Sequence, residues 1–337
     1  MSRDYNEQAS GPIASGSLAH VWHALAAMLA SLYVSARRFH IRGVPRVSGR
    51  ILYQLMRWRH RELTARPASR MADQAEASPI GPHDRVRIAG LTWSVPHDDR
   101  KPGSLSDRLL RGELPLADIL YTRQFARGGV MIDIGANIGT TAIPRLLLGH
   151  VDRVYGVEPD PANYACLRRT IADNGLEQYM SFDRVALGAV DGEADLLVES
   201  RLGRHRLLAA GTTATSTIRV PTLRLDTWSQ RLGPDLDRVR YVKCDTQGWE
   251  AHVFAGATAL LAHRSILWEI EICPGLLTAA GSTLENLCAT VAQHFQWFVD
   301  LRADDETLDR QPTANLAAAV KRTVAGRRNY TNVILGN

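Results

Sequence analysis

From Gly129 onward the chain alternates short apolar runs with helical stretches, and this alternation constrains the fold more than any other feature. "VMIDI" (130–134), "RVYGVEP" (153–159), "MSFDRVALG" (180–188), "RYVKCD" (240–245) and "SILWEIEI" (265–272) read as strands. Helical stretches at 139–148, 163–175, 248–262 and 283–295 separate or follow them, and "YTNVILG" (330–336) closes the chain as a strand. Strands this apolar are covered on both faces, which predicts an α/β fold with a largely parallel sheet between helices. "ADLLVES" and "TSTIRVPTL" add further strands, and no internal repeat is visible. With 337 residues, 45% apolar and 22% charged, the chain can bury a full core, which excludes global disorder.

The N-terminal part reads differently. Residues 1–17 are polar and small. Leu18 to Val34 carries no formal charge, but it contains His20 and His23 and is shorter than the roughly 20 apolar residues of a bilayer span. It predicts a helix packed on the protein, with a membrane-surface helix as the alternative. Ten arginines then fall between Ser35 and Arg70 against a single acid, Glu62. Such a block is a solvated face or a surface for anionic lipid or nucleic acid. It has few interleaved aromatics, so nucleic acid is the less expected partner. "MADQAEASPIGP" (71–82) reads as a linker. The expected organisation is a basic helical N-terminal extension (1–80) and one catalytic-type domain (81–337). That domain would begin with a hairpin at 85–95 around Gly90 and helices near 104–111 and 115–126. The four cysteines show no paired spacing, so neither a disulfide framework nor a metal site is expected, and a reducing, cytoplasmic compartment is. No cleaved signal is expected at the start.

The first strand ends in "MIDIGANIGT", an acid followed by Gly135 and Gly139. In an open parallel sheet, ligands sit beyond the C-terminal ends of the strands. Asp133 and Glu158 are both predicted there, at the ends of adjacent strands. Gly135 and Gly139 allow a tight bend, and the amides beyond it would face the same space. Glu158, nineteen residues past Gly139, is placed to accept from a ribose diol. A dinucleotide fingerprint would need glycines at 135, 137 and 140, but Asn137 and Thr140 stand at the last two, which weakens a dehydrogenase reading. An acid in the loop suits a cationic, phosphate-free nucleoside such as S-adenosylmethionine. A tight turn with no ligand is the alternative.

Asp133-Ile-Gly-Ala-Asn-Ile-Gly139, "VEPDPANYACLRRTI", "VALG" (185–188), "TLRLDTW" (222–228) and "YVKCDTQGWE" (241–250) occur in this order and spacing. Over about 110–300 the chain resembles the FkbM family of methyltransferases. The resemblance implies a class I methyltransferase Rossmann-like sheet of seven strands with the last antiparallel. It also implies S-adenosyl-L-methionine as cofactor, and O-methylation of a sugar or secondary-metabolite hydroxyl. The family pattern at the fourth strand resembles K-I-D-V-E-G-x-E, and this chain departs from it with Cys244, Thr246 and Gln247.

Lys243 and Asp245 share a strand face, and charges in a buried strand must pair or act. They read either as an ion pair finishing the strand or as site residues, with Asp245 the first candidate for base or acceptor anchor and Lys243 tuning it. Glu269, sharing a face with Glu271, is a candidate acceptor contact or an edge charge. His205 is a weaker candidate base. His252 and His263 read as helix surface, Glu250 as a helix-dipole cap and Asp226 as a turn acceptor. Asp183 and Ala186 are placed for adenine, the first taking the exocyclic amine and the second offering its amide. The cofactor-binding set is therefore Asp133, Gly135, Asn137, Gly139, Glu158, Asp183 and Ala186, and the catalytic set Asp245, Lys243 and Glu269. The expected partner is a small-molecule or glycan acceptor, with peripheral membrane contact through residues 18–70. Two rivals remain open: a nucleoside-binding module without turnover, which Gln247 favours, and a nucleic-acid methyltransferase using the arginines.

Overall fold

The computed structural model describes residues 44–65, 83–96, 104–125, 128–199, 205–209, 216–302, 308–326 and 329–337, with positions 28, 102, 211, 212 and 214. A long helix α1 (Val44–Thr64) leads to the hairpin β1 (His83–Ile88) and β2 (Leu91–Pro96), then to α2 (Leu105–Leu110) and α3 (Ala117–Thr122). The alternating part runs β3 (Val130–Ile134), α4 (Ala142–Leu147), β4 (Arg153–Val157), α5 (Pro161–Asp173) and β5 (Met180–Asp183). Next come β6 (Ala186–Leu187), β7 (Gly192–Leu197), β8 (Arg206–Leu207), β9 (Thr217–Leu223) and α6 (Leu225–Ser229). The chain returns through β10 (Val239–Cys244), α7 (Glu250–Ala255), α8 (Thr258–Ala262) and β11 (Leu267–Ile272). It closes with α9 (Pro274–Ala279), α10 (Leu284–His294), β12 (Trp297–Asp300), β13 (Gln311–Pro312), α11 (Leu316–Val324) and β14 (Thr331–Gly336).

The main sheet has the order β13-β12-β14-β11-β10-β3-β4-β5. Its five strands from β11 to β5 are parallel, and β14, the last in the chain, runs antiparallel between β11 and β12. This is the class I methyltransferase sheet, extended at one edge by the two-residue β13. Every residue of β3 is buried, as its unbroken apolar run requires. The strand order reverses between β3 and β10, so their C-terminal ends open the crevice in which ligands of such sheets bind.

Two expected elements are divided. The run at 180–188 ends its main-sheet strand at Asp183, and Ala186–Leu187 crosses to a second, four-stranded sheet of order β6-β9-β7-β8. The helix expected over 248–262 breaks at Gly256, where a side chain would run into the carbonyl of Gly188. β12 and α11 carry no motif and were not anticipated.

Helix α1 is part of the same core. Leu52, Leu55, Met56 and Leu63 form an apolar stripe at helical spacing, buried in one cluster with Leu91, Trp93, Leu146 and Leu167. The Tyr179 hydroxyl donates to the Leu63 carbonyl (3.3 Å), and the Leu114 amide donates to the Tyr53 hydroxyl (3.1 Å). The division drawn at residue 80 therefore does not separate two cores, because arginine-rich sequence hides an amphipathic face. The stretch 18–34 lies outside the described residues, apart from the exposed Met28. Among the described residues no helix is long and apolar enough to cross a membrane. Met56→Ala should destabilise the whole protein by about 2–5 kcal/mol, whereas Ile51→Ala on the exposed side should change it by less than about 0.5 kcal/mol. Chemical denaturation of both variants checks this; equal small effects would mean that α1 is a dispensable appendage.

Candidate active site

The row of side chains at the sheet centre sets the site. Parallel pairing places Asp133 (β3), Lys243 (β10) and Glu269 (β11) abreast on adjacent strands, so they share a face. All three are buried. From α4, Arg145 reaches the same face and pairs with Glu269 (Nη2–Oε2 2.5 Å), which also accepts from the Tyr241 hydroxyl (2.5 Å). One residue pair further toward the strand ends lie Asp245 and Glu271. Lys243 Nζ donates to Asp245 Oδ2 (3.0 Å). Gln247 Nε2 donates both to Asp245 Oδ1 (3.0 Å) and to Glu271 Oε1 (2.8 Å), bridging the two carboxylates.

At the end of β4 the construction is different. Glu158 is buried and tied to backbone: Oε2 accepts the Asn137 amide (2.7 Å) and Oε1 the Asp160 amide (3.0 Å). Asp160 caps α5 through the Ala162 and Asn163 amides, and His205 Nδ1 lies 3.1 Å from its other oxygen. Gly135 has φ +81°, and a Cβ there would strike the Asp245 carbonyl oxygen, so only glycine lets the β3 and β10 loops meet.

These groups surround one cavity of about 330 Å³. Gly135, Asn137, Glu158 and Ala186 line it on one side, and Lys243, Asp245, Glu269 and Glu271 on the other. Its size suits a small molecule. Adjacent strands lie about 4.8 Å apart, so the tips of β4 and β10, two steps apart, are separated by roughly 10 Å.

The family model for the Methyltransferase FkbM domain matches residues 133–294. Residues 133–294, just under half of the chain, are therefore similar to an FkbM methyltransferase domain. No curated protein matches the chain. Among solved structures, the methyltransferase FkbM of Methylobacillus flagellatus KT is 14% identical, with a TM-score of 0.32. That match covers 62% of this chain and 43% of the other, so the chain spans under half of that protein. TYW2 of P. horikoshii, in complex with MeSAdo, is 11% identical over 75% of this chain and 69% of its own, with a TM-score of 0.36. TrmK of M. capricolum, in complex with S-adenosyl-homocysteine, is 8% identical over 64% and 65%, with a TM-score of 0.34.

Within the matched stretch, three residues expected to hold the cofactor do not line this cavity. Asp133 is not at the cavity surface. It lies one residue inside β3, fully buried beneath the loop, and does not line the cavity. Asp183 turns away from the cavity: its Oδ2 accepts from Trp228 Nε1 (2.9 Å) and pairs with Arg231 (2.5 Å), so it is committed elsewhere. Gly139 also stands off the cavity, giving room for Leu167 and Ile143 to pack under the loop. The first loop amides do not face the cavity either, since Gly135 and Ala136 both donate to the Val157 carbonyl. His205 sits at the Glu158 side, away from the fourth strand's charges. Glu250 caps its own loop, accepting from the Thr246 and Gly248 amides, and Asp226 accepts from the Ala259 amide. Sequence reasoning gave Arg145 and Trp249 no role. Two acids in a buried strand were the available signal for Arg145, because such a pair demands a nearby cation.

Burial dominates the electrostatics. It pushes Glu158 up to about 7, against the lowering effect of the Asp160 and Asn137 amides, and pushes Asp133 up to about 6 despite Lys243 and Arg145. Burial opposes the charge on Lys243, but Asp245, Asp133 and Glu269 outweigh it and raise its pKa. Glu271 is raised well above the usual range, first by burial and then by the charges of Asp245 and Glu250.

A carboxyl that titrates at about 7 when folded and at 4.5 ordinarily holds its proton more tightly in the folded state. Its contribution to stability therefore falls as pH rises across that window. Glu158→Gln, which stays neutral, should shrink the drop in melting temperature between about pH 5 and about pH 8. Differential scanning fluorimetry of the unliganded protein measures it; an unchanged or larger drop rejects the assignment.

Proposed function

We propose that the chain is an S-adenosyl-L-methionine-dependent O-methyltransferase acting on a hydroxyl of a sugar, glycolipid or secondary metabolite. The observation carrying this reading is that one cavity has a diol-type acceptor, Glu158, at one side and the Lys243–Asp245–Gln247–Glu271 chain at the other. Glu158 would accept from the ribose hydroxyls. The cofactor would supply an electrophilic methyl carbon, held toward the β10 and β11 ends. The acceptor hydroxyl would then lie against Asp245 and Glu271, which orient it in line, with Asp245 taking its proton. Positioning can supply about 7–11 kcal/mol of the barrier reduction at best. Lys243 holds Asp245 in place, and Glu269 acts through Arg145 and Tyr241 as a support of that wall.

A binding module without turnover is the less supported reading, because Gln247 has a definite task in bridging the two carboxylates. The acceptor we favour is a small molecule or glycan. Peripheral membrane contact remains part of the proposal: Ile51 and Trp58, seven residues apart on α1, are both exposed. A cytoplasmic site is consistent with four buried, unbridged cysteines.

Calorimetry with S-adenosylmethionine on the wild type, Glu158→Ala and Asp245→Asn tests the assignment. The first change should abolish binding. The second should spare it and slow radiolabelled methyl transfer to a panel of glycosides by about 10²–10⁴-fold. Equal loss of binding in both variants would refute the role given to Asp245.

A further inference from the structure

We propose that Trp249 holds the base of the bound nucleoside, its indole N–H donating to a ring nitrogen beside Gly188. This rests on the S-adenosylmethionine reading above and assigns a contact that reading does not contain. Trp249 lines the cavity together with Ala186, Leu187, Leu196 and Leu207, an apolar slot suited to a flat heteroaromatic ring. The indole is held before any ligand arrives. His252 stacks on it with ring centroids 3.8 Å apart and 22° between planes. His252 is itself anchored, since its Nε2 lies 2.9 Å from the Ala280 carbonyl, which can only accept.

The hydrogen-bonding pattern points the same way. Buried indole N–H groups usually find an acceptor. Trp228 donates to Asp183 (2.9 Å) and Trp297 to the Asn337 carbonyl (3.0 Å). Trp249 Nε1 is buried without a partner among the described residues. Trp93 and Trp268 share that state, but they are enclosed in the core and do not line the cavity. A donor left unpaired in an apolar wall costs free energy that a ligand acceptor returns. On the Glu158 side two unpaired atoms have the opposite character: Asn137 Oδ1 and Asn163 Oδ1, both on cavity-lining residues, are buried acceptors, while His205 Nδ1 there lies 3.1 Å from Asp160. Acceptors at the ribose side and a donor at the base side match a nucleoside, whose hydroxyls donate and whose ring nitrogens accept. With Asp183 turned away, the base needs another polar contact, and Trp249 supplies it. Gly188 gives the indole its room, because a Cβ there would stand 3.1 Å from Trp249 Nε1.

Titrating S-adenosylhomocysteine, and separately adenosine, into the wild type, Trp249→Phe and Gly188→Ala tests this. Phenylalanine keeps an aromatic surface and removes the N–H, so both ligands should bind Trp249→Phe about 10-fold more weakly, the worth of one hydrogen bond. Gly188→Ala, which crowds the indole, should weaken both ligands in the same direction at an unchanged melting temperature. Wild-type affinity in Trp249→Phe overturns the inference and leaves the cofactor reading standing. A loss for S-adenosylhomocysteine but not for adenosine also overturns it, because the contact would then not be to the base. A wild type that binds neither ligand overturns the cofactor reading and the inference with it.

Discussion

Lys243 is the charge on which the rest of the sheet centre depends. It lies buried between Asp133 and Glu269 on the flanking strands and donates to Asp245 on its own. A single buried cation could not be stable there without those carboxylates, nor they without it and Arg145. Removing one member of such a pair leaves an uncompensated charge in the interior, which costs about 3–5 kcal/mol. The row thus fixes three strands in register at the place where their ends must converge. It also ties α4 to β11, because the Arg145 guanidinium reaches across to Glu269 at 2.5 Å.

This row divides the site into a floor and a working surface. Asp133 belongs to the floor: abreast of Lys243, its charge favours the protonated lysine without a direct hydrogen bond to it, and it leaves the cavity to Gly135 and Asn137. Asp245 and Glu271, one pair further along the same strands, front the cavity. The two ends are therefore built by different means. The β4 end is held by backbone, with Glu158 fixed by two amides and Asp160 capping the next helix. The β10 and β11 end is a side-chain network, in which each charge sets the orientation of its neighbours.

The sheet was legible because long apolar runs and their spacing are local properties. The second sheet was not, since β6 to β9 find their partners only through pairing that no window of sequence reveals. At the site, Glu158 could be read from its distance to the glycine loop. Asp133 could not be separated from a ligand contact, because it shares a face with Lys243 and Glu269, which do line the cavity, and only the tertiary packing over β3 closes it off. Asp183 failed for a related reason: its partners, Trp228 and Arg231, lie more than forty residues away in the chain. The role of α1 was concealed by composition, as its arginines outnumber the four residues that bury its inner face.

Gln247 is, with Cys244 and Thr246, one of three points at which this stretch departs from the pattern it resembles, and the surrounding charges account for this one. Asp245, Glu271 and Glu250 already crowd one end of the cavity, and Glu271 is raised well above the usual range by burial and by the other two. A further carboxylate at 247 would add a third like charge between Asp245 and Glu271. An amide has the same shape and offers donors in place of negative charge, so it draws the two acids together where an acid would drive them apart. The position adopts φ +56°, a left-handed conformation held by the loop that follows β10. Exchange of acid for amide here therefore keeps the geometry of the wall and changes its charge. That change is the one needed if both Asp245 and Glu271 are to face a single hydroxyl.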